Sequence, residues 1–308
     1  MADAAGQAAE AQGKGKMSTS WTIKVIESAE EMLVVEDLQR LVWPGSEAEI
    51  VPGHLLLASV HNGGLLLGAF VEQRLVGFAY SFLGMNEISN GPKLKHHSHM
   101  LGVHPDYRSH GIGFALKRAQ WQMVRRQGIE RITWTYDPLM SRNAWLNITR
   151  LGAVCNTYME NYYGEMNDEL NAGLPSDRFQ VDWWLNSRRV NLRLSRKKRG
   201  TLDLAHFLSA ETAIVNPSQA GVDGWPEPLE EPALPHSAER PNILLVEIPA
   251  DLNGLKAAQP QTALRWRLST RSILQELFRQ GYLVTDFVHL PGIQQRSFYA
   301  LSFGEATF

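Results

Sequence analysis

The segment Val103-His104-Pro105-Asp106-Tyr107-Arg108-Ser109-His110-Gly111-Ile112-Gly113 constrains this chain more than any other. An apolar, strand-like run ends at Val103, Pro105 and Asp106 turn the chain, and an amphipathic helix is predicted to open near Gly111. Between them, Arg108 to Gly113 read Arg-x-x-Gly-x-Gly, a loop in which glycines expose successive backbone N–H groups. A helix start adds amides without intrahelical acceptors and the positive end of a dipole, so the segment suits a pyrophosphate. The plainer reading is a glycine-rich strand–helix turn with no ligand. The order of strand, proline turn, basic residue, glycines and helix favours the first reading. A P-loop is excluded, because Ile112-Gly113-Phe114 stand where Lys-Ser/Thr is needed.

The rest of the chain sets outer bounds. At 308 residues it has room for one large domain or two small ones. With 44% hydrophobic and 20% charged residues and a net charge of −2, it reads as an ordinary globular protein. That balance implies neither a nucleic-acid partner nor an anionic membrane. The single cysteine, Cys155, excludes an internal disulfide framework and fits a reducing cytoplasm. It follows the apolar run Leu151-Gly152-Ala153-Val154, which predicts a buried, inert thiol. Residues 1–18, rich in Ala, Gly, Gln and Lys, are expected to form a flexible extension without the apolar stretch of a signal peptide.

Periodicity predicts a strand at 21–27, a helix opened by the capping box Ser28-Ala29-Glu30-Glu31 and stopping before Pro44, and a second helix at 54–60. Strands follow at 65–71 and 75–82, paired as a hairpin, and at 95–103. After the glycine loop, a helix over 114–127 presents Leu116, Ala119, Met123 and Val124 on one face and ends at Gly128. A strand at 129–136 leads to Asp137-Pro138. Ser141 is expected to cap a helix running to Leu151, before strands at 154–163 and 178–185. A basic run with Arg188, Arg189, Arg193, Arg196, Lys197, Lys198 and Arg199, then six prolines between 217 and 241, read as a linker. Folding resumes with a strand at 242–249, a helix at 261–280 and strands at 282–290 and 296–303.

The motif V-x-P-x-Y-R-x-x-G-I-G-x-x-L, over Val103 to Leu116, resembles the acyl-CoA-binding motif of the GNAT superfamily of N-acyltransferases. The resemblance implies an α/β fold, a mixed sheet in the order β-α-α-β-β-β-α-β-α-β-β over residues 19–187. It leaves 1–18 as the extension, 188–241 as the linker and 242–308 as a C-terminal β-α-β-β extension packing on the GNAT domain. It implies acetyl-CoA or another acyl-CoA as co-substrate, with no metal. Arg108, Ser109, His110, Gly111, Ile112 and Gly113 would hold the pyrophosphate, and backbone amides of Leu101, Gly102 and Val103 the pantetheine and the developing oxyanion.

The expected chemistry is direct attack of an amine on a thioester, which needs a base or water relay, donors for the oxyanion and a tolerable leaving group. Family members often carry a glutamate on the strand before the loop; by register from Arg108 that position is His97. Alternation puts His97 and His99 on one face and His96 on the other, and histidine titrates near neutrality. Surface or core histidines without a role are the competing reading. The family's usual tyrosine acid falls on Ile148, so Tyr136, or Tyr158, Tyr162 and Tyr163, are the substitutes to consider. Asn143 and Asn147, four apart on one helix, are candidates for the pantetheine amides.

Segments 136–147, 174–179 and 266–271 resemble a bacterial GNAT subgroup with an extra C-terminal half, some members of which are associated with N-succinylation of amino acids. That implies Asp137, Arg178, Arg267 and Arg271 as candidates to hold an acceptor, the arginines by clamping a carboxylate. The function expected is an acyl-CoA-dependent N-acyltransferase acting on a small-molecule amine, in the cytoplasm, with a homodimer possible. The alternative is a non-catalytic acyl-CoA-binding or regulatory module on a decayed GNAT fold.

Overall fold

The computed structural model describes residues 20–45, 47–86, 91–164, 173–195, 202–221, 223–235 and 240–304. The chain divides into two compact units, one ending at Thr133 and one beginning at Trp134. The flexible extension expected at 1–18, and Arg196 to Arg199 of the basic run, lie outside the described residues.

The first unit opens with strand β1 (Thr22–Val25) and helix α1 (Ala29–Val42). The capping box forms as the sequence predicts: Glu31 N–H donates to Ser28 Oγ and Ser28 N–H to Glu31 Oε2, each at 3.3 Å. Helix α2 (Gly53–His61), β2 (Leu65–Val71), β3 (Arg74–Asn86), β4 (Lys93–Val103) and α3 (Ile112–Arg126) follow, and β5 (Arg131–Tyr136) crosses the boundary between the units. Strands β1 to β4 pair antiparallel in sequence order, and β4 pairs β5 in parallel. The core joins Ile26, Met32, Val35, Leu38, Leu56, Leu66, Phe78 and Tyr80, which is how the apolar stripes of α1 and α2 find cover.

The second unit contains α4 (Ser141–Ala144), a π-helix (Trp145–Arg150), β6 (Val154–Met159), β7 (Arg178–Trp184), α5 (Arg188–Leu194) and α6 (Leu204–Ser209). It continues with β8 (Gln219–Ala220), β9 (Pro226–Glu227), β10 (Ile243–Ile248), α7 (Leu252–Ala258), α8 (Pro260–Arg279), β11 (Tyr282–Leu290) and β12 (Arg296–Phe303). Its sheet runs β7-β6-β11-β12-β10, so the C-terminal strands extend the sheet begun by β6 and β7, through the pair Val284 and Cys155. The protein is a mixed α/β fold, and its elements through β7 appear in the order expected from the resemblance.

Three local expectations change. Ser141 does not cap a helix; Met140 occupies the cap position and Ser141 Oγ bonds Ser297 Oγ at 2.8 Å, a partner 156 residues away that no local pattern reveals. Asn143 and Asn147 do not share a face, since Asn143 is exposed and Asn147 buried. The helix widens into i→i+5 bonding at Trp145, which breaks the four-residue spacing. Residues 188–241 are not bare linker. Val190 and Leu194 bury one side of α5, Leu204 and Phe207 one side of α6, and the charges around them mask the period.

Candidate active site

The glycine loop is built as its sequence predicts. Pro105–Tyr107 forms one 3-10 turn, capped by His104, whose Nδ1 accepts from Asp106 N–H at 3.3 Å. Arg108 Nε donates back to Val103 O at 3.2 Å, tying the loop to the end of β4. Ser109 and Gly111 then take left-handed backbone, φ 67° and 82°, and Gly111 serves as N-cap of the 15-residue α3. A Cβ at Gly111 would meet nothing within 4 Å, so what requires glycine there is backbone conformation, not crowding. At Gly113 the nearest atoms to a Cβ are on Leu101 and Val103, at 3.8 and 4.0 Å, ordinary packing distances. His110 Nδ1 and Arg118 Nε are buried without a hydrogen-bond partner among the described residues.

Strand β4 carries the histidines. Its ladder with β3 shifts register between Tyr80 and Ser81: Tyr80 pairs Met100, Ser81 pairs Ser98, and His99 stands as the extra residue of a bulge. The parallel ladder with β5 consists of His96 with Ile132 and His97 with Thr133, so residues 98–103 have no register partner on that edge. His97 and His99 share a face with Tyr80 and Phe82; Phe82 lies 5.3 Å from His97 and 5.8 Å from His99, ring centre to ring centre. Burial, then His99, Lys95 and Lys117, lower the His97 pKa to about 4. Burial also lowers His99. Both rings are therefore neutral near pH 7 and able to accept a proton.

His96 is on the other face, as alternation requires, and it is structural. Its Nδ1 meets Ser81 Oγ at 3.0 Å and its Nε2 meets Gln127 Oε1 at 2.7 Å, while Gln127 Nε2 donates to Gly63 O. Beside it lies a group the sequence does not advertise. Lys117 is fully buried on α3, donating to Ser98 Oγ at 2.9 Å and Gln120 Oε1 at 2.8 Å, and burial drives its pKa well down. The buried face of α3 is thus Ile112, Ala115, Leu116, Lys117, Gln120 and Val124, with Ala119 and Met123 only half-buried.

In the second unit, Tyr136, Tyr158 and Tyr163 bond internal partners. Tyr299 donates to Pro138 O at 2.7 Å, so the 3.1 Å contact between Tyr136 and Tyr299 hydroxyls uses the proton of Tyr136. Burial raises both phenols well above their usual range. Tyr136 therefore has no proton directed at a leaving group. Tyr158 donates to Asp177 Oδ2 at 2.6 Å, Tyr163 meets Thr135 at 2.9 Å, and Tyr162 is exposed. Ile148 is fully buried.

Arg267, its side chain inaccessible, holds Asp137 at 2.5 Å. Arg271 grips both oxygens of Asp177, at 2.8 and 2.7 Å, and reaches Glu160 at 3.1 Å. Arg178 donates to Asp177 O and lies over the Tyr163 ring. Three carboxylates, Asp137, Asp177 and Glu160, thus meet Arg267 and Arg271, with Arg178 beside them, and Arg267 Nε and Nη1 are buried without a hydrogen-bond partner among the described residues. Cys155 is buried and its thiol pushed up by that burial, an inert group.

Residues 31–145 match the family model described as Acetyltransferase (GNAT) family. This segment is a GNAT acetyltransferase domain. The chain carries the domain of an acyltransferase enzyme, with the glycine loop and the β4 histidines inside it. Among solved structures, Arabidopsis thaliana Naa50 in complex with a bisubstrate analogue is 16% identical, with 53% of this chain and 97% of that chain covered and a TM-score of 0.41. The ribosomal-protein-S18-alanine N-acetyltransferase from Escherichia coli is 13% identical, covering 58% and 99%, TM-score 0.42. An aminoglycoside acetyltransferase from an uncultured soil metagenomic sample is 20% identical, covering 38% and 78%, TM-score 0.34. No curated protein matches the chain.

Two parts of the site escape a reading of the GNAT domain sequence. Tyr80 and Phe82 wall the histidine face through strand register, and the bulge at His99 has no proline or glycine to mark it. Among the described residues, no helix is long and apolar enough to cross a membrane, and no group of three His, Cys, Asp or Glu is placed to hold a metal.

Proposed function

We propose that this chain is an acyl-CoA-dependent N-acyltransferase that acts on the amine of a small metabolite such as an amino acid, with acetyl- or succinyl-CoA as donor. The observation that carries this reading is the loop from Arg108 to Gly113. Two left-handed residues open a long helix, whose first backbone N–H groups have no intrahelical acceptor and suit a pyrophosphate. The unpartnered His110 Nδ1 and Arg118 Nε supply further polar atoms at this end of α3. The edge of β4 over residues 98–103, including Leu101, Gly102 and Val103, is suited to hydrogen-bond the amides of an extended donor arm.

His97, neutral and flanked by Phe82 and His99, is the proposed base. An alkylammonium ion has no lone pair until its proton, of pKa about 10, is removed, so His97 takes that proton, directly or through water, before nitrogen attacks the thioester carbonyl and the thiolate leaves. A pKa of about 4 makes His97 a weak base in the free protein, and a donor thiolate leaves without needing an acid.

Ile148 at the usual tyrosine position and the Tyr136 hydroxyl tied to Tyr299 favour the second reading, a non-catalytic acyl-CoA-binding module. Thiol release, measured with acetyl-, propionyl- and succinyl-CoA against a panel of amino acids, separates the two. Release that depends on one amine is the expected outcome. Binding of acyl-CoA with no release across the panel establishes the module instead.

A further inference from the structure

Strand β4 carries polar side chains on both faces, and the one extra residue at its bulge decides which of them face α3. Before the bulge, Phe82 pairs His97 and Ser81 pairs Ser98; after it, Tyr80 pairs Met100 and Phe78 pairs Gly102. Residues paired across two strands share a face of the sheet. His97 therefore stands with Phe82, whereas His96 and Ser98 turn toward α3. After the bulge the α3 side belongs to Leu101 and Val103, which lie against Gly113. If β4 had no bulge and Tyr80 still paired Met100, Ser81 would pair His99 and Phe82 would pair Ser98. That slip of one residue turns His97 and His99 toward α3 and Ser98 away from it.

What opposes the slip is polar and lies on the α3 side. Lys117 Nζ donates to Ser98 Oγ at 2.9 Å and to Gln120 Oε1 at 2.8 Å, and Ser98 Oγ donates to Gln120 Oε1 at 3.2 Å. The three side chains close a triangle, and all three are buried. His96 is tied beside them: its Nε2 donates to Gln127 Oε1, which leaves Nδ1 to accept from Ser81 Oγ. In the slipped strand Ser98 would lose both of its bonds, and a buried polar group without a partner is costly. Residues 93–101 include no proline or glycine to place the bulge. An apolar side chain at position 117 would pack against either register, whereas a buried amine distinguishes a hydroxyl from a thioether, and so selects one. Every group in this arrangement belongs to the first unit.

We propose that Lys117 is a positioning residue for acyl transfer: by holding Ser98 on the α3 side, it keeps β4 in the bulged register that presents His97 and His99 beside Tyr80 and Phe82. The link to transfer rests on His97 as the base proposed above; the setting of the register does not.

Lys117→Met is the direct test, because Met fills much of the same space and removes the nitrogen. Losing a buried amine also removes its desolvation cost, so the urea midpoint should be no lower than in wild type. Amides of residues 96–101 should exchange with solvent about 10-fold faster, with those of residues 65–71 unchanged. In turnover, kcat should fall about 10-fold while the KM for acyl-CoA stays within about 2-fold. Ser98→Ala should act in the same way, and the double variant should lose no more than either single one, since both changes remove one bond.

Unchanged exchange at 96–101 overturns the register role of Lys117. Faster exchange throughout the first unit, with a lower urea midpoint, overturns it as well and makes Lys117 a packing residue. Local acceleration with an unchanged kcat overturns the link to His97. Wild-type protein that releases no thiol with any amine overturns both the proposed function and that link, and the exchange result still decides whether Lys117 sets the register.

Discussion

The glycine loop and the β5–α4 turn are both short connections into helices, and they are stabilised in opposite ways. The loop is local. Its ties are the five-residue reach from Arg108 to Val103 and backbone angles that Gly111 adopts at little cost, and much of it stays exposed. The turn is held by partners 130 to 163 residues away, nearly all buried. A local loop keeps its polar groups available for a ligand, whereas the turn has used its own inside the fold. The difference explains why Arg267, Arg271 and Tyr136, suitable in type for clamping or proton donation, act here as internal struts.

The sharpest way to break this comparison is Arg267→Met. Removing the guanidinium leaves the Asp137 carboxylate largely buried without its partner, and a loss of about 3–5 kcal/mol in unfolding free energy is expected. Urea denaturation followed by tryptophan fluorescence measures it. A loss below about 1 kcal/mol means that the pair is no strut, and returns Arg267 to the pool of acceptor ligands.

His97→Gln probes the first unit at its chemistry. Turnover should fall at least about 100-fold, with acyl-CoA affinity in calorimetry little altered. Unchanged turnover removes His97 from the mechanism. The same residue carries a pH signature. With its pKa lowered to about 4 from a usual 6.5, the unfolded chain binds the proton more tightly between those values. The stabilising effect of a neutral His97 is complete above pH 6.5 and disappears as pH falls to about 4. Denaturation midpoints of the Gln variant should decline less steeply over that window than those of wild type.

The smallest effect is expected at Gly111→Ala. Left-handed backbone costs a residue with a side chain about 1–2 kcal/mol, so the loop should shift conformation and donor KM should rise while the rest of the first unit stays folded. An unaltered KM indicates that the loop's amides do not touch the donor.

Much of the first unit is legible without coordinates because its signals are short in sequence. Ser28 and Glu31 announce α1, Asn62-Gly63-Gly64 ends α2, and Val103 to Gly113 spell out a strand, a turn and a helix start. The second unit's strands and its long helix are equally readable, since β10, α8, β11 and β12 lie within a residue or so of their expected limits. What escapes is whatever depends on a partner far along the chain. Lys117 is buried because Ser98 and Gln120 bond its ammonium group, a pairing no local pattern marks. Arg189 reads as part of a basic linker until it meets the carbonyls of Gly152 and Thr285. Helices α5 and α6 hide because each buries only two residues.

The sequence by itself determined the element order, the conformation of the glycine loop and the face shared by His97 and His99. Hydrophobic period, capping and glycine angles act over a few residues. Only the tertiary structure decided that the Tyr136 proton goes to Tyr299, that Arg267 and Arg271 are neutralised by Asp137 and Asp177, and that Ser141 serves a distant strand rather than its own helix. The physical reason is that a buried polar group must find whichever partner the fold brings near, and that partner's distance along the chain leaves no local trace.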